Sequence, residues 1–164
     1  MQAVVLVGHG GVPRDCPREL IRQLKVLEGQ RAARGGPPSD EERALDRRIR
    51  TWPRSAANDP YQAGIEALAA ALRARLDGTR LAIAYNEFCA PSLDDAVDVL
   101  VADGITAITV VPTMLTPGGS HSEIDIPDSL AALRDRHPGI ALHYAWPVDV
   151  GLLADMLATH LAGG

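Results

Sequence analysis

Four short apolar runs, each closed by a breaker and separated from the next by helical periodicity, limit this chain to one kind of fold. They are Gln2–Gly8 (QAVVLVG), Arg80–Asn86 (RLAIAYN), Ile105–Val111 (ITAITVV, stopping at Pro112) and Ile140–Ala145 (IALHYA, stopping before Pro147). Each is nearly continuous in apolar residues instead of alternating, the pattern of a strand covered on both faces. Between them, apolar residues recur at spacings of three and four, as on the buried face of a helix. Pro17–Ala33 carries Leu20, Ile21, Leu24 and Leu27, and Tyr61–Leu76 carries Ile65, Leu68, Ala69 and Leu72. Ser92–Ala102 carries Leu93, Ala96, Val97 and Leu100, with Ser92 as its cap. Pro127–Arg136 and Val150–Leu161 complete the set. Strands alternating with helices predict an α/β fold: a doubly wound, four-stranded parallel sheet with helices on both faces. With 164 residues, one domain over residues 1–164 is expected. Ligands in such sheets bind beyond the carboxyl ends of the strands.

One connection is too long. About seventy residues separate the first two runs, where one helix would suffice. Gly35-Gly36-Pro37-Pro38 ends the first helix, and Ser39 with Glu42 predicts a capped helix over Asp40–Arg50. Residues 31–54 hold seven arginines, so this Arg-rich helical insertion, at about 30–60, is locally basic. It is expected to pack beside a substrate site or a subunit interface, with Arg47, Arg48 and Arg50 free to meet carboxylates; a solvated surface helix is the plainer alternative.

The chain as a whole is acidic, with net charge -5, which argues against nucleic acid as a partner. No apolar run approaches the ~20 residues of a membrane span, and MQAVVLVGHGG has neither the basic region nor the cleavage site of a signal peptide. Cys16 and Cys89 form no CxxC pattern and are expected to be buried free thiols, which suits a cytoplasmic location. The single lysine, Lys25, lies in an ordinary helical stretch, and no phosphate-binding GxxxxGK[ST] run is present.

The chemistry concentrates at strand ends. His9 follows the first strand between glycines, in Gly8-His9-Gly10-Gly11. Glu87 follows the second, and His121 follows the third after Gly118-Gly119-Ser120. The doubly wound topology gathers these three tips at one crevice. Two imidazoles and a carboxylate suit a borderline divalent metal such as iron, cobalt, nickel or zinc. His137, His143 and His160 lie in a turn, a strand and the last helix, and are expected to be structural.

Three segments carry a family resemblance: VVLVGHGG at Val4–Gly11, NEFCAPSLDDAVDVL at Asn86–Leu100, and GITAITVVPTMLTPGGSHSEIDIP at Gly104–Pro127. They resemble the sirohydrochlorin chelatases, the small class II tetrapyrrole chelatases. That family has a strand followed by His-Gly, a strand ending in Glu before a Pro-led helix, and a strand leading to P-x-x-L…G-x-H…D-I-P. The resemblance implies a chelatase-like fold and a lyase that inserts cobalt, iron or nickel into sirohydrochlorin or a close relative, on the way to cobalamin or siroheme. It implies His9, His121 and Glu87 as both the metal-handling and the catalytic residues. Because the short members pair, it also implies a homodimer. No cofactor is expected beyond the substrate metal ion.

Two features depart from the family. His9-Gly10-Gly11-Val12 stands where His-Gly-Ser-Arg is frequent, and the short members lack the insertion. Sirohydrochlorin is a polycarboxylate, so an acidic protein must present donors locally. Candidates are Arg14, the insertion arginines, Gly10, Gly119, Ser120, Ser122 and the N–H groups of the glycine loops. A non-catalytic metallochaperone or tetrapyrrole-binding protein using the same residues is the alternative. A histidine phosphatase is disfavoured because Gly8 stands where that family carries arginine.

Overall fold

A computed structural model describes residues 1–163. Strand β1 (Gln2–Gly8) leads through three helices, α1 (Arg18–Arg34), α2 (Asp40–Arg50) and α3 (Pro60–Arg73), to β2 (Arg80–Tyr85). Then follow α4 (Leu93–Ala102), β3 (Ala107–Pro112), a π-helical turn (His121–Asp125), α5 (Ile126–Arg136), β4 (Ala141–Tyr144) and α6 (Val150–Ala162). All strands are parallel, in the order β2-β1-β3-β4. The chain runs outward from β1 to β2, then crosses back to β3 on the other side of β1. The direction of winding therefore reverses between β1 and β3, and a crevice opens at their carboxyl ends.

The continuous apolar strands are explained by two buried faces. Ala3, Val5 and Val7 of β1, with Ile108 and Val110 of β3, pack against Leu93, Ala96, Val97 and Leu100 of α4 and Ile126, Leu130 and Leu133 of α5. Leu6, Leu81 and Tyr85 face the other way, against Ile65 and Ala69 of α3 and Cys89. Ser92 and Asp95 form a reciprocal capping box at the start of α4. Several helix faces are narrower than the apolar spacing predicts. α1 buries Leu20 and Leu24, whereas Leu68 of α3 is exposed. α6 has no buried residue: Val150, Leu152, Met156, Leu157 and Leu161 are all exposed. No described helix is long and apolar enough to cross a membrane.

The insertion forms the expected helix, with the Ser39 hydroxyl accepting from the Glu42 N–H at 3.1 Å. α2 lies on α1, where Ile49 joins Cys16, Leu20 and Leu24 in a third apolar cluster. Its last arginine is not free for substrate. Arg50 donates to the carboxylate of Asp46 at 2.8 Å and to the carbonyls of Asn86 and Cys89, each at 3.0 Å.

Both cysteines are buried and free. Burial pushes the Cys89 thiol up to about 11, against a partial opposing pull from Arg54, and burial raises the Tyr85 phenol too. Both groups are neutral when protonated, so the folded state holds their protons more tightly than the unfolded chain. The Cys89 contribution is complete below pH ~9 and is lost as pH rises towards ~11, and that of Tyr85 begins to fall above pH ~10. The denaturant midpoint should therefore fall steadily between those limits. A midpoint constant across that window would contradict the buried, proton-holding placement of both groups.

Candidate metal site

The β1–β2 pairing continues past the strand ends. The Asn86 N–H donates to the Gly8 carbonyl at 2.9 Å, and the Glu87 N–H to the His9 carbonyl at 2.8 Å. Gly10, at φ +95°, makes this approach possible. A Cβ there would lie 1.8 Å from the Glu87 carbonyl oxygen, an impossible contact. Gly10 thus accommodates the neighbouring loop of the protein itself. The Phe88 carbonyl accepts from Arg54, which also forms an ion pair with Asp59 and donates to the Gly11 carbonyl at 2.8 Å. Arg50 and Arg54, both from the insertion, thereby hold the loop that carries Glu87.

His121 is set by a different device. It opens the π-helical turn that precedes α5, closed by the Ile126 N–H on the His121 carbonyl. Pro127 has no N–H for the carbonyl four residues back, so an α-helical ladder cannot run through this point. Ser122 is fully buried, its hydroxyl donating to the Met114 carbonyl at 3.3 Å, and its carbonyl accepts from the Tyr144 hydroxyl at 2.9 Å. It is an anchor for the turn, not the substrate donor expected from its place in the motif. Gly119 and Ser120 lie exposed on the loop just before it. His137 pairs with Asp98 at 2.6 Å, a structural contact away from the crevice.

The three strand-end residues meet. One ligand atom from each of His9, Glu87 and His121 lies within 4.8 Å of those of the other two. The imidazoles stand edge to face with Nε2 atoms 3.1 Å apart. Their outer nitrogens decide the proton positions. His9 Nδ1 is 2.8 Å from the Gly10 carbonyl oxygen, which only accepts, so Nδ1 carries the hydrogen. His121 Nδ1 lies between an Asp125 carboxylate oxygen at 2.6 Å, which only accepts, and the Asn86 amide at 2.7 Å; the closer carboxylate favours the hydrogen on Nδ1, with the amide oxygen turned to the ring. With the hydrogen on each Nδ1, the two Nε2 lone pairs face each other, and a cation between them would satisfy both. Two metal–nitrogen bonds of ~2.1 Å would put the nitrogens about 3.0 Å apart at a right angle and about 3.4 Å apart at the tetrahedral angle. The observed spacing falls between these, and Glu87 stands ready as a third, anionic ligand.

Four contributors were not singled out in the sequence. Asp125 stands four residues after His121, inside the D-I-P segment, and that spacing was the available signal. The Asn86 amide lies 2.7 Å from His121 Nδ1 and flanks Glu87 in sequence. The Tyr61 hydroxyl accepts from the His9 N–H at 2.8 Å across 52 residues, and no local pattern announces such a contact. Lys25, far from being an ordinary helical residue, places its ammonium 3.5 Å from a Glu87 carboxylate oxygen, 2.9 Å from Glu28 and over the Phe88 ring. Among these, Asp125 has the clearest consequence. Asp125→Ala frees the His121 ring to turn and to move its proton, and metal affinity should fall roughly 10–100-fold. Cobalt(II) titration followed in the visible spectrum measures this; wild-type affinity would show that the carboxylate does not orient the ring.

A family model described as CbiX matches residues 56–160, a stretch that contains Glu87 and His121 but not His9. The sirohydrochlorin ferrochelatase of Bacillus subtilis (strain 168) is 28% identical over 68 residues, which make up 42% of this chain and 26% of that protein. Among solved structures, SirB from Bacillus subtilis with Fe3+ aligns with 87% of this chain and 38% of its own length, at 22% identity and a TM-score of 0.50. A cobalamin (vitamin B12) biosynthesis CbiX protein from Marinobacter aquaeolei VT8 aligns over the full length of both chains, at 21% identity and a TM-score of 0.57. These two structures share the fold. The chain spans well under half the length of both Bacillus subtilis relatives.

Proposed function

Because this chain belongs to the CbiX family, the sirohydrochlorin chelatases, we propose that it inserts a divalent metal, cobalt or iron, into sirohydrochlorin. The observation that carries this reading is the pair of bare Nε2 atoms 3.1 Å apart beside a carboxylate at the switch point of the sheet. Insertion exchanges one M2+ for the two protons on the pyrrole nitrogens. His9, His121 and Glu87 take the metal with part of its water shell removed and present it to the ring. As the metal passes to the macrocycle, the facing Nε2 atoms are left without a cation, and one pyrrole proton is held between them. Asp125, on the far side of the His121 ring, stabilises the imidazolium that results. Glu87 accepts the second proton. The balance is complete without a redox cofactor or nucleotide.

The decisive experiment is metal insertion into sirohydrochlorin with cobalt(II), iron(II) and nickel(II), followed by the change in the visible spectrum. Turnover with cobalt or iron above the uncatalysed rate is expected. Binding of metal and tetrapyrrole without acceleration would identify a carrier and overturn the proposal.

The active form is proposed to be a homodimer. A flat macrocycle lying across an open crevice needs a second wall, and α6 presents five large apolar side chains with no cover from the described residues. Sedimentation should give a dimer at micromolar concentration, and Leu157→Glu with Leu161→Glu should shift it to monomer. A wild-type monomer with full activity would refute this assembly.

A further inference from the structure

Directly after His9-Gly10-Gly11, the chain enters an open cleft of about 650 Å3 along the start of α1. Its lining is chemically lopsided: four cations, Arg14, Arg18, Arg22 and Lys25, stand among the apolar Val12, Pro13, Cys16 and Ile21. In a protein of net charge -5 this concentration is local. Two nearby carboxylates pair with Arg22 and Lys25 of the cleft itself, and Asp15 is held by neutral donors, which leaves Arg14 and Arg18 as the unpaired cations. Asp15 accepts from the Trp52 indole at 3.2 Å and the Asn58 amide at 3.0 Å, Glu19 pairs with Arg22 at 2.6 Å, and Glu28 pairs with Lys25 at 2.9 Å. Arg14 and Arg18 have no side-chain hydrogen bond or ion pair among the described residues. Lys25 joins the cleft to the metal site, since its ammonium also reaches Glu87 at 3.5 Å.

We infer that this cleft is the subsite for the peripheral carboxylates of the tetrapyrrole, with Arg14 and Arg18 as its free guanidinium donors. The inference rests on the reading of the protein as a sirohydrochlorin chelatase, and it relocates the anion recognition. The two insertion arginines that reach the site, Arg50 and Arg54, are turned inward onto loop carbonyls, whereas Arg14, just before α1, and Arg18, at its start, are exposed cations at the edge of a partly apolar cleft. Guanidinium–carboxylate pairs gain strength from such surroundings and from two-pronged geometry. A macrocycle whose centre lies over the imidazoles has its rim groups directed outward, and the cleft is the cationic ground that adjoins Glu87.

The test uses two titrations on the intact protein and on Arg14→Gln/Arg18→Gln: metal-free sirohydrochlorin, followed by its absorbance, and cobalt(II) without tetrapyrrole. The double variant should raise the sirohydrochlorin Kd about tenfold or more at low salt and leave the cobalt Kd unchanged. Wild-type affinity should weaken with added NaCl, more steeply than that of the variant. Arg18→Gln alone, at an exposed position in the first turn of α1, should give an intermediate Kd and guards against a folding defect. An unchanged sirohydrochlorin Kd would overturn the cleft while leaving the chelatase reading intact. Equal loss of both affinities would also overturn it, as a general disturbance. A wild-type protein that binds no sirohydrochlorin overturns both.

Discussion

His121→Ala should reduce metal insertion by roughly 10²–10⁴-fold, the scale of losing a positioned proton acceptor. The substitution also removes one of the two facing Nε2 atoms, so cobalt(II) affinity falls with the rate. The fold should survive. His121 lies in the turn after β3, outside all three apolar clusters, and the turn keeps its Ser122 anchor. His9→Ala should be of similar severity, and the double variant little worse than either single one, because the two imidazoles act as a unit. Insertion rates and thermal melts on the same preparations separate chemistry from stability. A His121→Ala protein that inserts metal at the wild-type rate would remove the shared imidazole pair from the mechanism.

The second large effect is on stability and comes from the insertion. Arg54 and Asp59 form an ion pair with side chains only 6% and 2% exposed. Arg54→Met leaves Asp59 charged and buried, and strips a donor from the carbonyls of Phe88 and Gly11. Removing one member of a buried pair costs about 3–5 kcal/mol. At ~2–4 °C per kcal/mol for a chain of this length, the melting temperature should fall by roughly 10 °C. Arg54→Lys should recover little, because an ammonium cannot span Asp59 and two carbonyls at once. Since Gly11 follows His9 and Phe88 follows Glu87, the same change should loosen both ligand loops and lower cobalt affinity in the folded fraction. An Arg54→Met protein that melts at the wild-type temperature would mean that water replaces the guanidinium at no cost.

The strands, the order of elements and the convergence of His9, Glu87 and His121 were legible in the sequence because they depend on short-range pattern and strand order. A continuous apolar run closed by Gly or Pro reads as a strand with two buried faces, and the topology of a doubly wound sheet then places the residues after β1, β2 and β3 together. That topology brings His9, Glu87 and His121 to one crevice, where Arg50, Arg54 and the π-helical turn then fix them. The capped helix of the insertion was legible for the same reason, since Ser39 and Glu42 are local partners.

What the pattern left open depends on contacts between residues far apart in sequence. Nothing around Arg54 announces that its guanidinium meets Phe88 and Gly11, and nothing around Arg50 distinguishes it from a solvated helix arginine. Lys25 looked ordinary because its partner, Glu87, is brought near only by the packing of α1 beside the β2 loop. Gly10 was legible only as a candidate donor to the substrate, whereas its missing side chain also makes room for the Glu87 backbone. α6 has an acceptable apolar face by composition, but only the packed chain reveals that nothing in the described structure covers it. Periodicity records which residues avoid water, and the strand order brings His9, Glu87 and His121 together. The tautomers, the buried ion pair and the uncovered helix arise from three-dimensional neighbours, and only the tertiary structure could supply those.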